Sequence, residues 1–493
     1  MSVEAPIEAR IAEPIRLGLI VGGRELPSER QLEVHNPARH AELVGTVPDA
    51  TTAEVNAAIE AARAAQPGWA ATPVAERIAL FERIADELTA HADEIATLEA
   101  RENGSARSIA AREMLGTAGM WREVGAYLGD ALAPKEHESE RGFVRITRKP
   151  FGVVGCIVPW NAPLILTVNK IVPAIAAGNA VILKPSPLSP LASSRVAQIA
   201  AEILPPGVLN VLNGGGEAGA AIVAHRDVRK LSFTGGGETA RHIMRQAADT
   251  LTGVHFELGG NDPAIVLDDA DVAHAAAGIA ESAFRRSGQV CFAVKRVYVP
   301  RALAAEFGER LAERVDQLVI GDPLDERVTM GPMNNAAQLE HVKQLRERLD
   351  GSGRDVRTLG HPLTDDGWEE GYFVRPAVVL DAEQDDEIVA VEQFGPILPV
   401  VAYDDVEQAI AWANDTEYGL CSSVWSSNED RALEVADRIE AGMTIVNSHL
   451  FSRAGTREIP FGGWKQSGIG WEASPYGIDE YLQFHSIDVQ GAQ

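Results

Sequence analysis

AVILKPSPLSPLASSRVAQIAAEILPPGVLNVL, residues 180–212, is the stretch that decides the fold. Residues 180–183 form a short run apolar on both faces, a helical pattern follows near 189–204, and 208–212 is a second such run. A strand with two apolar faces needs cover on both sides, and a helix between two such strands is the crossover that sets them parallel. The texture persists outward: 152–158, 231–233 and 263–267 read as further strands, with helices near 216–225 and 238–250. The pattern predicts a parallel sheet covered by helices, an α/β outline that suits nucleotide binding without by itself fixing a function.

On the N-terminal side, residues 51–66 read as an amphipathic helix. Thr51 and Glu54 form a capping-box pattern, and Val55, Ala58, Ile59 and Ala62 recur at i, i+3, i+4 and i+7. Pro67-Gly68 is expected to end that helix. A second packing helix carries Ile78, Phe81, Ile84, Ala85 and Leu88 on one face and is expected to have stopped by Gly104. The charged stretch 135–141 reads as a linker or exposed arm. A further α/β segment is expected from about Arg296 to 460, with a strand at 297–299, a long helix over 302–318 and a loop region rich in Gly and Asp over 350–371.

At 493 residues the chain is too long for one ordinary core, and its 45% hydrophobic and 23% charged content excludes wholesale disorder. A net charge of −27, from 44 Lys and Arg against 71 Asp and Glu, argues against nucleic acid or an anionic membrane as partner. A small anionic cofactor feels local dipoles instead and is not excluded. Three cysteines, Cys156, Cys291 and Cys421, make no disulfide framework and have no zinc or redox spacing, so a reducing, cytoplasmic compartment and no metal are expected. The acidic N-terminus lacks a signal peptide's apolar core, and no apolar run approaches the roughly 18 residues of a membrane span.

No H-E-x-x-H, G-x-S-x-G or Gly-Lys phosphate loop occurs, which removes metalloprotease, α/β-hydrolase and P-loop NTPase readings. Two glycine-rich turns remain. Gly214-Gly215-Gly216-Glu217-Ala218-Gly219 matches G-x-G-x-x-G but lies deep in the sheet, where a tight strand-to-helix turn explains it equally. Phe233-Thr234-Gly235-Gly236-Gly237-Glu238-Thr239 follows a strand and opens a helix, so its free N–H groups would face an anion. Cys156 and Cys421 lie in apolar runs and read as core residues. Cys291 closes the polar turn Ser287-Gly288-Gln289-Val290-Cys291, and Glu257 is an acid at the end of an apolar strand, where an unpaired charge is expensive.

Eight motifs now carry a resemblance. Pro159-Trp160-Asn161, Lys184-Pro185-Ser186, Phe233-Thr234-Gly235, Glu257-Leu258-Gly259-Gly260-Asn261, Gly288-Gln289-Val290-Cys291, Glu392-Gln393-Phe394-Gly395-Pro396, Asn414 with Tyr418-Gly419-Leu420, and Pro460-Phe461-Gly462-Gly463 stand in this order. In order and spacing the chain resembles the NAD(P)-dependent aldehyde dehydrogenase superfamily. The resemblance implies a Rossmann-type parallel-sheet cofactor domain over 1–127 and 150–259, an α/β catalytic domain over 260–463, and a β oligomerisation arm from 128–149 and 478–493 that joins a homodimer or homotetramer.

It also implies roles. Cys291 would add to an aldehyde, Asn161 and the Cys291 backbone N–H would hold the oxyanion, and Glu257 would activate water against the thioester. Trp160, Lys184, Gly235, Gly236, Leu258, Glu392 and Phe394 would hold the cofactor, NAD preferred and NADP possible. Pro187 stands where many NAD-preferring members carry a glutamate, and Gly236 replaces a frequent serine. Arg285 resembles the arginine with which succinate-semialdehyde dehydrogenases hold a distal carboxylate, although a structural ion pair explains it as well. His449, Arg453 and Arg457 are expected at the tunnel entrance with Phe451 and Phe461, which suit an apolar or aromatic aldehyde. The rivals are a CoA-acylating relative, against which Glu257 argues, and a catalytically silent protein on the same scaffold.

Overall fold

The computed structural model describes residues 13–364, 367–450 and 458–490. Strands Gly253–Glu257, Val228–Thr234, Val153–Ile157, Ala180–Lys184 and Leu209–Val211 lie side by side and parallel. They are the centre of an eight-stranded sheet with antiparallel edges, Gly468–Ile469 on one side and Leu19–Val21 with Arg24–Leu26 on the other. Alternate side chains go to opposite faces. Val154, Cys156, Val181 and Leu183 pack under helices Pro163–Ala176 and Leu191–Ile203, whereas Val153, Ala180 and Ile182 pack under Thr52–Ala71 and Gly216–Ala224.

A seven-stranded sheet follows, in the order Val356–Thr358, Ala377–Ala382, Ile397–Tyr403, Val294–Pro300, Asp262–Val266, Cys421–Trp425, Met443–Val446, parallel but for its first strand. The second sheet's strand Asp262–Val266 precedes the Arg296 expected from sequence texture and lies inside the 260–463 span implied by the resemblance. That strand is as apolar on both faces as those before it, so nothing in the local texture marks the change of sheet. Between Glu257 and Asp262 the chain crosses from the carboxyl edge of one sheet to the amino edge of the other. That crossing makes the site.

Lys135–Ser139 and Gly142–Pro150 form a hairpin extended by the C-terminal strand Leu482–Gln490, paired antiparallel from Leu482 with Pro150 to Gln490 with Gly142. The capping box at Thr51 and Glu54 is present, yet the helix runs Thr52–Ala71, through Pro67. An interior proline costs about 3 kcal/mol. The indole of Trp69, fully buried with its Nε1 donating to the Ile175 carbonyl at 2.8 Å, contributes on the order of 5 kcal/mol by burial and holds the last turn. The second packing helix breaks at His91 into Val74–Ala90 and Ala92–Asn103, and Gly104 ends it at φ +87°. Helix Arg107–Leu132 had no sequence counterpart, and 350–371 contains two short strands. Among the described residues no helix is long and apolar enough to cross a membrane.

Candidate active site

Strand Val228–Thr234 turns at Gly235-Gly236 into helix Gly237–Ala248. No side chain caps that helix, so its first N–H groups open into a cleft of about 330 Å³ bordered by Trp160, Asn161, Gly235, Gly236, Leu258, Cys291, Glu392 and Phe394. The Gly235 N–H is held by the Glu257 carbonyl at 3.1 Å. Trp160 meets Phe394 edge to face at 5.8 Å between centroids. Glu392 accepts from the Gly260 N–H at 3.3 Å, and a Cβ at Gly259 would lie 2.3 Å from its Oε2, so glycine there is what lets the carboxylate close on the chain. An uncapped helix end for phosphate, a carboxylate for hydroxyls and an aromatic ring for a planar base form a donor set that fits a dinucleotide.

The loop that leads to Cys291 is strained and braced. Arg286, Ser287 and Gly288 have φ of +51°, +57° and +74°, and a Cβ at Gly288 would sit 2.3 Å from the Gly395 carbonyl oxygen. Arg286 is buried and spans the neighbouring elements. It donates to Glu99 at 2.7 Å, to Asn103 at 3.1 Å, to the Asn161 carbonyl at 3.3 Å and to Glu113. The Asn161 Nδ2 donates to the Gln289 carbonyl at 2.9 Å, which fixes the amide beside the loop. Cys291 is partly buried; burial pushes its thiol up to about 12, the Lys295 ammonium opposes that, and the Glu257, Asp262 and Glu392 carboxyls reinforce it.

Glu257 ends strand Gly253–Glu257 and is 3% exposed, with neither carboxylate oxygen hydrogen-bonded. Its neighbours are the fully buried ion pair Lys170–Glu472, 2.5 Å, and His255, 3.9 Å from its Oε1. Burial first, then Glu472, holds the carboxyl well above the usual range, while Lys170 opposes them. The side chain borders neither the cleft nor the second cavity.

That second cavity, about 520 Å³, opens on the other side of Cys291 and Asn161, which border both. Its walls are largely apolar, with Met120, Ile165, Val172, Phe292, Leu450 and Phe461 among them, and Arg112, Glu123, Glu281 and Arg285 also border it. Among the described residues Arg285 has no ion-pair partner; the pairing falls to Arg286. Lys184 lies apart from the cleft, at the end of its strand, buried, with its Nζ on the Pro185 carbonyl and beside Gly219 of the other glycine-rich turn. His449 corrects an expectation. It is fully buried behind the loop, its Nε2 donating to the Phe292 carbonyl at 2.9 Å and its Nδ1 against the Ser423 hydroxyl at 2.8 Å, because an imidazole with two internal partners gains nothing at a tunnel mouth. Phe451, Arg453 and Arg457 lie outside the described residues.

Asp262, Cys421 and His449 form a buried group with potential ligand atoms within 4.8 Å, but both His449 nitrogens are engaged and the Lys295 ammonium already offsets the Asp262 carboxyl. Sequence reading missed Lys170, Lys295 and Glu472. The signal for the lysines was visible: each is a charge inside an apolar element, PLILTVNKIVPAIA and VKRVYVP.

A cleft that fits a dinucleotide and an apolar tunnel meet at one cysteine beside an amide donor, an arrangement that suits an oxidoreductase. The chain belongs to the aldehyde dehydrogenase family, whose model matches residues 25–487. It is similar to the phenylacetaldehyde dehydrogenase of Pseudomonas fluorescens, 36% identical over 487 residues and 95% of each chain. Among solved structures it is similar to the NAD-dependent aldehyde dehydrogenase from Sinorhizobium meliloti, at TM-score 0.92 and 34% identity over 99% of this chain and 96% of that one. It is likewise similar to the NAD+ complex of an aldehyde dehydrogenase from Bacillus cereus, at TM-score 0.92 and 33% identity over 99% of each chain. The fold is that of aldehyde dehydrogenases, and the chain is an enzyme of that type.

Proposed function

We propose that the chain oxidises an apolar or aromatic aldehyde to its carboxylic acid with NAD. The observation that carries this is the shared wall: Cys291 and Asn161 border both cavities, so a carbonyl held in the tunnel reaches the thiol at the cofactor side. The Cys291 thiolate adds to the carbonyl carbon. One Asn161 N–H is held by the Gln289 carbonyl, which aims the other, with the Cys291 backbone N–H, at the oxyanion. NAD, when bound, would supply the acceptor for the hydride released from that carbon, whose loss leaves a thioester on Cys291. Glu257 then takes a proton from the water that attacks the thioester, and the thiolate departs. Since neither Glu257 oxygen is hydrogen-bonded, turning the side chain toward Cys291 breaks no such bond.

Trp160, Gly235, Gly236, Leu258, Glu392 and Phe394 hold the cofactor along the cleft, and Lys184 holds its adenosine end beyond it. The resemblance of the chain to an NAD-dependent aldehyde dehydrogenase and to an NAD+ complex supports the use of NAD. The tunnel walls support an apolar substrate, as does the relative that carries the name of phenylacetaldehyde. A second reading, an acidic semialdehyde, is favoured by Arg285, a guanidinium at the tunnel without an ion-pair partner among the described residues. The three-part division is supported by separate eight-stranded, seven-stranded and three-stranded sheets, the last of them the arm of Lys135–Ser139, Gly142–Pro150 and Leu482–Gln490; its exposed Phe484, Ile487 and Val489 favour a homodimer or homotetramer, and the cytoplasm is the compartment. NADH absorbance over a panel of phenylacetaldehyde, hexanal and succinic semialdehyde, with and without CoA, tests the whole reading. Failure to reduce NAD with any aldehyde overturns it, and a dependence on CoA replaces water by a thiol as acyl acceptor.

A further inference from the structure

Lys295 is 1% exposed, on strand Val294–Pro300 four residues past the nucleophile. Such a residue is kept only where the charge has partners. Its Nζ donates to the carbonyl of Val290, the residue before Cys291; it lies 3.9 Å from Glu392 Oε1 and 5.2 Å from the centroid of the Phe394 ring. The main chain at Lys295 is fixed as well, its carbonyl accepting from Gln393 Nε2 at 3.1 Å, so the segment Glu392-Gln393-Phe394 is held at three successive residues. One ammonium therefore ties the nucleophile loop on one side to the carboxylate and ring of the cofactor cleft on the other.

Resting on the role of Cys291 as nucleophile, we propose that Lys295 is a positioning residue of the reaction, which supplies the cation against which the Cys291 thiolate forms and locks Glu392 and Phe394 in register with it. Burial disfavours a thiolate and Lys295 opposes that, whereas Glu257, Asp262 and Glu392 act in the same direction as burial. Burial raises the Glu392 carboxyl, and the cation 3.9 Å away opposes that rise, favouring the ionised form that accepts two hydroxyl hydrogen bonds.

The test is alkylation of the full-length enzyme by iodoacetamide from pH 6 to 10, with the modified cysteine located by mass spectrometry, in wild type, Lys295→Met and Lys295→Gln. The glutamine keeps a donor for the Val290 carbonyl without the charge. Cys291 alkylation at pH 8 is expected to fall at least tenfold in both variants, since one unit of thiol pKa is a tenfold change in thiolate. NAD affinity by titration of tryptophan fluorescence is expected to fall severalfold, with melting temperature reported alongside. A wild-type rate profile in a folded Lys295→Gln overturns the proposal; if Lys295→Met fails to fold, the glutamine variant decides alone. Label on Cys156 or Cys421 in wild type, or turnover surviving full modification of Cys291, overturns instead the reading of Cys291 on which the proposal rests.

Discussion

Two cavities meet at Cys291 and are built by different means. The cofactor cleft is made where strands end: the turn Gly235-Gly236, the crossing Glu257-Leu258-Gly259-Gly260 and the segment Glu392-Gln393-Phe394 are short, contiguous, and shaped by backbone. The tunnel is made by side chains from helices Arg107–Leu132 and Pro163–Ala176 and from residues far apart in sequence, Val290 to Phe292 and then Leu450, Ile459 and Phe461. Backbone sites need particular residues in order, above all glycine, whereas a tunnel wall needs only volume and low polarity. One cavity is therefore readable as motif and the other is not.

The largest expected effect strikes where the cavities join. Cys291→Ala should lower turnover by on the order of 10⁴-fold or more, while NAD binding by fluorescence titration stays as in wild type, because the cleft's other walls are intact. Substantial turnover would mean that the junction is not the reacting centre. Glu257→Gln comes next, with steady-state rate expected to fall by roughly 10²–10⁴-fold and an acyl adduct on Cys291 visible by intact mass after one turnover. Its pH dependence has a definite sign. A base works deprotonated, and burial holds this carboxyl well above its ordinary value, so acyl hydrolysis should rise with pH through a midpoint above the usual carboxylate range and lose that limb in Glu257→Gln.

Asn161→Ala should cost roughly 10²–10³-fold in kcat, the usual price of one oxyanion donor, with KM for both substrates nearly unchanged. Phe461→Ala acts on the tunnel alone: kcat/KM for phenylacetaldehyde should drop by roughly tenfold while KM for NAD does not move. A variant that moved both would show that the two cavities are coupled more closely than their walls suggest.

The same division explains what sequence reading delivered. The parallel strands were legible because fully buried strands are apolar without interruption; Cys291 stood out by its polar turn, whereas Asn161 and Glu392 entered through the resemblance, and the structure brings all three to one cleft. The start of the second sheet at Asp262 was not legible in local texture, since the strand there resembles those before it; only the family resemblance set a boundary at 260. Helix Thr52–Ala71 outran its proline because tertiary burial of Trp69 outweighs local propensity, a comparison no window of sequence contains. His449 was assigned to the tunnel by proximity in sequence, but its place is set by Ser423 and Phe292, on other elements. Lys170 and Glu472 meet across 302 residues, so their pairing belongs to the fold alone.

The smallest effect tests how far the cleft extends beyond its visible walls. Pro187 is exposed in the turn after strand Ala180–Lys184, next to Ser186, which is buried, and close to Lys184, whose Nζ donates to the Pro185 carbonyl. If Lys184 faces the adenosine ribose, a carboxylate at 187 stands near a 2′-phosphate. At about 5 Å in water, a unit charge against roughly two gives about 1.7 kcal/mol, which screening at physiological salt reduces to about 1 kcal/mol. Pro187→Glu should therefore lower kcat/KM for NADP by about three- to tenfold and leave that for NAD unchanged or slightly raised, since the carboxylate can accept from ribose hydroxyls. The effect is small because the position is solvated, which distinguishes it from Glu392 inside the cleft. No change in either cofactor would place the adenosine end away from Lys184, and the backbone-built cavity would then stop at the helix opening after Gly236.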